Sequence, residues 1–516
     1  MNKNFFISTP IYYPSGKPHI GTAYATALAD VIAKYKRLIG YDVFFLTGLD
    51  EHGQKVQEAA EKNGFANPQA YTDDVAKNFV DLWKKMDISN TKFIRTTDQY
   101  HVESVKKIFS QMIKNNDIYL GKWESLYCVG CEEDYTKEDA VVKDGELYCR
   151  VGHKLTHKLE DSYFFKMSAY QNWINEYFSA NPNLIYPTSR MNEMKQSFLN
   201  NGLLDLSVSR TTFSWGVPIV ENNKHVIYVW VDALFNYITA LGYNSADETL
   251  FNKYWKDEQT EVVHLVGKDI ARFHTIYWPI MLHSLNLRLP SKVIATGWIM
   301  AEDGKKMSKS LNNVIDPNEI IDLYGNDIFK YYIFKEFSIA DDNNFSVKKM
   351  LELYNSDLAN IFGNLVSRTI GMLKLYTDSV ILRPVCAKSE YTETLLSAET
   401  KLLDSIEAAI NNFDIKKVIC MIVDYAKDLN KYVDDTKPWI LKKENKFDEI
   451  HDFLFYLSNG IRIYTTLLSP ILTDGIKLIK EQMQFDDEMV AYKNIKNSDI
   501  LFNHKVDESK PIYVRK

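Results

Sequence analysis

The chain reads as an α/β protein: a doubly wound parallel sheet with a small inserted module, continued by an all-α helix bundle. Three observations predict this. The first fifty residues alternate strand, helix and strand, with polar loops at the strand ends. A turn-rich stretch carrying three cysteines interrupts the middle, and from about residue 350 apolar residues recur at helical spacing with few glycines. With 516 residues, 46% hydrophobic and 25% charged, the chain has apolar mass for more than one core, which excludes disordered and collagen-like proteins.

Residues 4–9 form a short apolar strand, and the Pro/Gly-rich turn from Pro14 to Thr22 leads into a helix over 23–36, marked by Ala27, Asp30-Val31, Ala33-Lys34 and Leu38. Residues 41–48 have the continuous apolar character of a buried parallel strand. A sheet begun this way takes its ligands at the carboxyl ends of its strands. Residues 120–170 read as an inserted module of short, turn-rich segments, after which strand-and-helix alternation resumes at 226–230 and 262–267. Beyond 350 lie three apolar stripes: Leu402, Leu403, Ile406, Ile410, Phe413; then Val418, Ile422, Tyr425, Leu429, Val433; then Ile450, Leu454, Leu457, Ile461, Tyr464, Leu468. Such stripes are the core faces of a bundle.

Charge narrows the partners. With 61 basic and 68 acidic residues the net charge is −7, so any contact with nucleic acid must use local basic surface. No stretch approaches the ~18 uninterrupted apolar residues of a membrane span. The first ten residues hold only three apolar residues in a row, too few for a signal peptide, so a cytoplasmic enzyme is expected.

The five cysteines, Cys128, Cys131, Cys149, Cys386 and Cys420, are odd in number and scattered, which argues against a disulfide framework. Cys128-Val129-Gly130-Cys131 lets two thiolates chelate one ion from a tight turn, and Cys149 with His153 can complete a tetrahedral zinc shell. His157 is a rival for the fourth position. Cys386 and Cys420, in apolar surroundings, read as packing residues.

Two motifs carry phosphate chemistry. His19-Ile20-Gly21-Thr22 falls at a strand-to-helix turn, where backbone N–H groups and the helix dipole favour phosphate; Gly21 permits close approach and His19 can donate to phosphoryl oxygens. Lys306-Met307-Ser308-Lys309-Ser310 follows the turn Asp303-Gly304-Lys305, and its two lysines can bring point charges onto a triphosphate.

Together these motifs resemble those of the class I aminoacyl-tRNA synthetases. Thr9 to Pro14, Thr47 to Gly53, Leu206 to Thr212, Tyr228 to Ala233 and Gly267 to His274 resemble the methionyl-tRNA synthetases specifically, and the match is collinear to about residue 475. The resemblance implies a Rossmann-type catalytic domain split as 1–115 and 226–295, a connective insertion with the zinc knuckle at 116–225, a stem-contact region with the lysine loop at 296–350, and a helical anticodon-binding domain at 351–516. It implies activation of L-methionine with ATP and Mg2+, then transfer to initiator and elongator methionine tRNA. By resemblance His19, Lys306 and Lys309 bind the triphosphate in the first transition state, with Ser308, Gly21 and Thr22 beside them and Arg210 and Lys268 as auxiliary cations. Thr22 stands where the family usually has histidine, so this position can donate a hydrogen bond but carries no charge. Ile11, Tyr13, Trp230, Ala233, Leu234, Tyr237, Ile270 and His274 form the methionine pocket, where aromatic walls suit a polarisable thioether. By the same resemblance Asp50 would hold the α-ammonium. The resemblance also implies that Trp439 would supply a stacking surface for the anticodon, while Asn364 and Arg368, four apart on one helix face, would supply edge contacts. Some members carry a C-terminal dimerisation domain for which this chain leaves no room, so a monomer is expected. Competing readings are a synthetase for another amino acid, a nucleotidyltransferase of the same fold, and an inactive tRNA-binding protein.

Overall fold

The computed structural model describes residues 3–14, 16–128, 133–135, 140–143, 145–149, 152–307 and 313–516. Its centre is a six-stranded, all-parallel sheet in the order Lys92–Arg95, Asp42–Leu49, Asn4–Tyr12, Glu261–Gly267, Lys292–Thr296, Ile185–Tyr186. The chain builds outward from Asn4–Tyr12 on one side, then crosses to the other, where it lays the far edge Ile185–Tyr186 first and fills in Glu261–Gly267 and Lys292–Thr296, so the strand order reverses between Asn4–Tyr12 and Glu261–Gly267. Ligand crevices open at such a reversal. Phe5, Phe6 and Ile7, and Val262, Val263, Leu265 and Val266, are fully buried, as strands covered on both faces require.

Local chemistry sets the limits of these elements. The first strand runs three residues beyond its expected end, through a register shift between Ser8 and Ile11 around Pro10, which has no N–H to give the ladder. The following helix, Ile20–Leu38, begins three residues earlier than its apolar spacing indicates, because His19 caps it.

The inserted module is more regular than expected. Strands Ile118–Cys128 and Thr156–Phe165 pair antiparallel along most of their length, flanked by Glu133–Tyr135 and Leu206–Ser207. The expected strand at 226–230 is corrected: the strand is Asn222–Ile227, it pairs antiparallel with Ser209–Arg210 and Pro218–Ile219, and a helix begins at Val229. A short apolar run suits either a strand end or a buried helix start, so periodicity could not separate them.

The C-terminal region packs helices Asn364–Thr377, Glu390–Asn411, Ile415–Thr436 and Phe447–Leu468 on one another. All three apolar stripes are buried, although Phe413 lies beyond its helix at a positive φ of 61°. Gly460 lets two helices approach: a Cβ there would sit 2.2 Å from Leu429 Cδ2. Helix does not continue to the end, since Val380–Ile381 pairs with His504–Lys505 and the segment after Met483 is mostly irregular. The bundle core is continuous with one face of the sheet. At that seam buried Lys36 reaches Glu261 and Asn411, both at 2.9 Å. Among the described residues no helix is long and apolar enough to cross a membrane.

Candidate active site

The carboxyl ends of Asn4–Tyr12 and Glu261–Gly267 bring the sequence motifs to one edge of the sheet. His19 is exposed at the N-cap of Ile20–Leu38, where its Nδ1 accepts from Gly21 N–H at 3.1 Å. With Nδ1 accepting, a neutral ring carries its proton on Nε2, as a donor. A Cβ on Gly21 would press the same ring at 3.1 Å, so the bare backbone makes the cap possible. Thr22 is buried in the first turn, where Tyr12 donates its hydroxyl to the Thr22 carbonyl at 3.4 Å.

Lys306 stands at the root of a hairpin: it bridges Met300, Ala301 N–H donates to Lys305 O at 2.9 Å, and Gly304 turns the chain at φ 76°. Lys268, just past the strand Glu261–Gly267, donates to both Asp342 oxygens at 2.7 and 2.8 Å. Ser308 and Lys309 lie outside the described residues. Arg210 is held between Trp123 and Tyr228, 4.6 and 4.5 Å from their ring centroids, and donates to Ser207 Oγ at 2.9 Å and Ser209 O at 2.7 Å.

Next to this edge is a cluster of aromatic side chains with one unusual acid. Asp50 Oδ1 is buried with no hydrogen-bond partner. Burial, then the Asp232 and Glu51 charges, push its carboxyl well above the usual range against the His52 N–H. It does not cap the following helix, whose N-cap is Gly53. Tyr13 approaches Gly53 so closely that a Cβ there would lie 3.1 Å from its hydroxyl. Trp230 stacks on Phe273 at 3.6 Å and meets His274 edge-on at 6.4 Å. Ile11, Leu234 and Tyr237 belong to the same core as Trp230. Ala233 is buried beside them in sequence, and the Ile270 carbonyl accepts from His274 Nδ1 at 3.0 Å.

Sequence reasoning missed the residues that support this pocket. Asp232 accepts from His52 Nδ1 at 2.7 Å and His101 Nε2 at 2.9 Å. Burial raises Asp232, but the two imidazoles outweigh it and hold the carboxyl at about 2. Buried Glu51 accepts from Arg95 Nε at 2.8 Å and from the Thr97 hydroxyl. His52 lies in the run Thr47 to Gly53 and Asp232 in the run Tyr228 to Ala233, and only their pairing across the fold marks their role.

In the inserted module, Cys128, Cys149 and His153 offer one ligand atom each, all within 4.8 Å of one another. Two thiols and an imidazole are donors that a tetrahedral zinc accepts. His153, rather than His157, joins this group, and its N–H donates to Cys149 Sγ at 3.2 Å. Cys131 lies outside the described residues. Of the other two cysteines, Cys386 is exposed and Cys420 half-buried with Lys335 Nζ 3.4 Å from its sulfur, so Cys386 is not a packing residue.

A family model described as tRNA synthetases class I (M) matches residues 5–370. The methionine–tRNA ligase of Ureaplasma parvum serovar 3 is 50% identical over 514 residues, 99% of this chain and 98% of its own length. That of Bacillus subtilis is 43% identical over 524 residues, covering 100% of this chain and 78% of the relative. The chain belongs to the methionine–tRNA ligase family. A solved structure, Mycobacterium tuberculosis methionyl-tRNA synthetase in complex with methionyl-adenylate, matches with a TM-score of 0.92 at 33% identity, over 99% of this chain and 100% of that one. This methionine–tRNA ligase family member is thus a class I aminoacyl-tRNA synthetase, and its parallel sheet and helical C-terminal region are those of the family.

In this family member the three bundle residues singled out in sequence are all at the surface. Asn364 opens the helix Asn364–Thr377 and is exposed. Arg368 Nη2 reaches Asp434 Oδ1 at 3.4 Å, tying that helix to the end of Ile415–Thr436. Trp439, in Pro438–Lys443, is 45% exposed, which a packing role does not explain.

Proposed function

We propose that this edge of the sheet carries out the two steps of methionine–tRNA ligation. The methionine carboxylate attacks the α-phosphorus of ATP, the new P–O bond gives methionyl-adenylate, and pyrophosphate leaves. The terminal ribose hydroxyl of methionine tRNA then attacks the acyl carbon and AMP leaves. One observation carries the reading: the unpartnered, buried Asp50 oxygen beside an aromatic pocket. A buried carboxylate oxygen left without a partner is costly unless a ligand supplies the opposite charge, and an α-ammonium does so.

The remaining roles follow from position. Trp230, Tyr237, Ile11, Tyr13, Ala233, Leu234, Ile270 and His274 enclose the thioether. His19, Gly21, Thr22 and the helix N-terminus take phosphate oxygens. Lys268, Lys306, Ser308 and Lys309 take the triphosphate, and Arg210 adds charge; catalysis is positioning and charge stabilisation. ATP enters with its Mg2+, and the described residues hold no carboxylate cluster for that ion. Zinc, held by Cys128, Cys131, Cys149 and His153, would brace the inserted module and take no part in the chemistry. The division into catalytic halves 1–115 and 226–295, insertion 116–225, stem-contact region 296–350 and anticodon domain 351–516 belongs to the same reading, as do exposed Asn364, Arg368 and Trp439 at the anticodon. We read the enzyme as a cytoplasmic monomer; sedimentation at 59.9 kDa tests the monomer.

ATP–pyrophosphate exchange with each of the twenty amino acids tests the function. Methionine alone should sustain exchange, and methionine tRNA alone should then be charged. Faster exchange with another amino acid, or none with methionine, would overturn the assignment.

A further inference from the structure

Two of the lysines read as triphosphate ligands converge on one ring. Lys268 Nζ lies 4.2 Å and Lys306 Nζ 4.0 Å from the Trp298 centroid. Like charges gathered this closely repel, and the electron-rich face of an indole offsets that repulsion. Asp342 adds the opposite charge: it accepts from Lys268 through both oxygens, and from the Trp298 backbone N–H through Oδ1 at 2.8 Å. One carboxylate therefore holds both the ring's backbone and one of its cations.

The backbone beneath is fixed in register. Ile299–Met300 pairs in parallel with Asn343–Asn344, and Asn343 N–H donates to Trp298 O at 2.9 Å. Gly297 packs so tightly that a Cβ there would stand 2.0 Å from the Asp341 carbonyl oxygen. Lys306 enters through its bridge to Met300. The half-buried ring and its acid are thus presented by paired backbone rather than by loose loop.

We propose that Trp298 and Asp342 are positioning residues for adenylate formation: the indole gathers Lys268 and Lys306 into one cationic cleft, and Asp342 holds Lys268 to it until the triphosphate takes over. The inference rests on the triphosphate reading of those lysines. Long lysine side chains lose much conformational freedom when they clamp a ligand, and a ring that holds them beforehand reduces that loss.

ATP–pyrophosphate exchange in the full-length enzyme, with KM for ATP and for methionine measured separately, tests this. Trp298→Leu should raise the ATP KM about fivefold or more while the methionine KM stays within about twofold; Trp298→Phe, which keeps a π face, should remain near wild type. Asp342→Asn should also raise the ATP KM, and should add nothing in a Lys268→Ala background, because the two act through one contact. An unchanged ATP KM in Trp298→Leu, equal increases in both KM values, or an Asp342→Asn effect that survives in Lys268→Ala would overturn the proposal. Should Trp298→Leu fail to fold, the Asp342 and Lys268 double-mutant cycle decides. Lys268→Ala and Lys306→Ala alone separate the two readings. If neither alters the ATP KM or the exchange rate, the triphosphate assignment itself falls; if both do and the Trp298 and Asp342 variants do not, only the positioning role falls.

Discussion

Tyr237 donates its hydroxyl to His274 Nε2 across 2.7 Å, and the direction of that bond is imposed from the far side of the imidazole. His274 Nδ1 lies 3.0 Å from the Ile270 carbonyl, which can only accept, so Nδ1 carries the proton and Nε2 accepts. Burial holds this ring at about 4, so it is neutral in ordinary buffers. His264 repeats the logic behind it: Trp278 Nε1–H donates to its Nε2 at 3.1 Å, its Nδ1 donates to Ser8 Oγ at 2.7 Å, and its ring lies 4.2 Å from Tyr237. Tyr237, His264 and His274 therefore form a polar but uncharged patch beside Trp230.

This has a pH consequence. An unfolded histidine titrates at 6.5 and folded His274 at about 4, so within that window the unfolded chain binds a proton that the folded chain refuses. Stability contributed by this group is constant above 6.5 and is lost as pH falls from 6.5 toward 4, by up to about 3 kcal/mol. The difference in unfolding free energy between wild type and His274→Gln should accordingly narrow as pH falls through this window. Parallel losses in the two proteins would show that His274 is not the group responsible.

Asp50→Asn should separate function from stability. Losing the charge-assisted contact to the α-ammonium should lower kcat/KM for methionine at least about hundredfold. The melting temperature should hold or rise, because a carboxyl with one buried, unpartnered oxygen beside Asp232 is removed. A proton competes with the ammonium for wild-type Asp50, so methionine affinity should weaken as pH drops, and this slope should flatten in Asp50→Asn. A variant that both melts earlier and keeps its methionine KM would refute the assignment.

Metal analysis of protein prepared without chelator should find about one zinc per chain. Cys128→Ser, Cys149→Ser and His153→Ala should each lose it, whereas His157→Ala should retain it, since His157 stands outside the group of three. Zinc retained in His153→Ala and lost in His157→Ala would reassign the ligand; zinc absent from wild type would remove the site.

At the bundle, Trp439→Ala should slow charging of methionine tRNA about tenfold, in keeping with ~1–3 kcal/mol for a stacked base. Exchange activity and melting temperature should stay near wild type, because a ring 45% exposed contributes little core. Loss of both activities with a lower melting temperature would make Trp439 a structural residue.

How much of this was legible beforehand depends on distance along the chain. Apolar spacing located the first strands, the helix that follows His19 and the three bundle stripes, since each is a local periodicity that burial enforces. Short motifs singled out His19, Asp50 and Lys306 because each lies in a short run of one turn or one loop. The run 226–230 was misread because five apolar residues satisfy a strand end and a helix start equally well.

Tertiary structure alone decided the rest. It set the strand order that places the crevice beside Asn4–Tyr12, and it joined Asp232 to His52 and His101 across 180 and 131 residues. It brought His153 rather than His157 to Cys128 and Cys149, and left one buried oxygen of Asp50 without a hydrogen-bond partner. It also brought two lysines onto the Trp298 ring, one of them from thirty positions away. Sequence determines which chemistry a residue can perform and which local element it enters. Which charges meet, and which are left unmatched, is settled by packing between distant segments, where the cost of burying a polar group selects its partner.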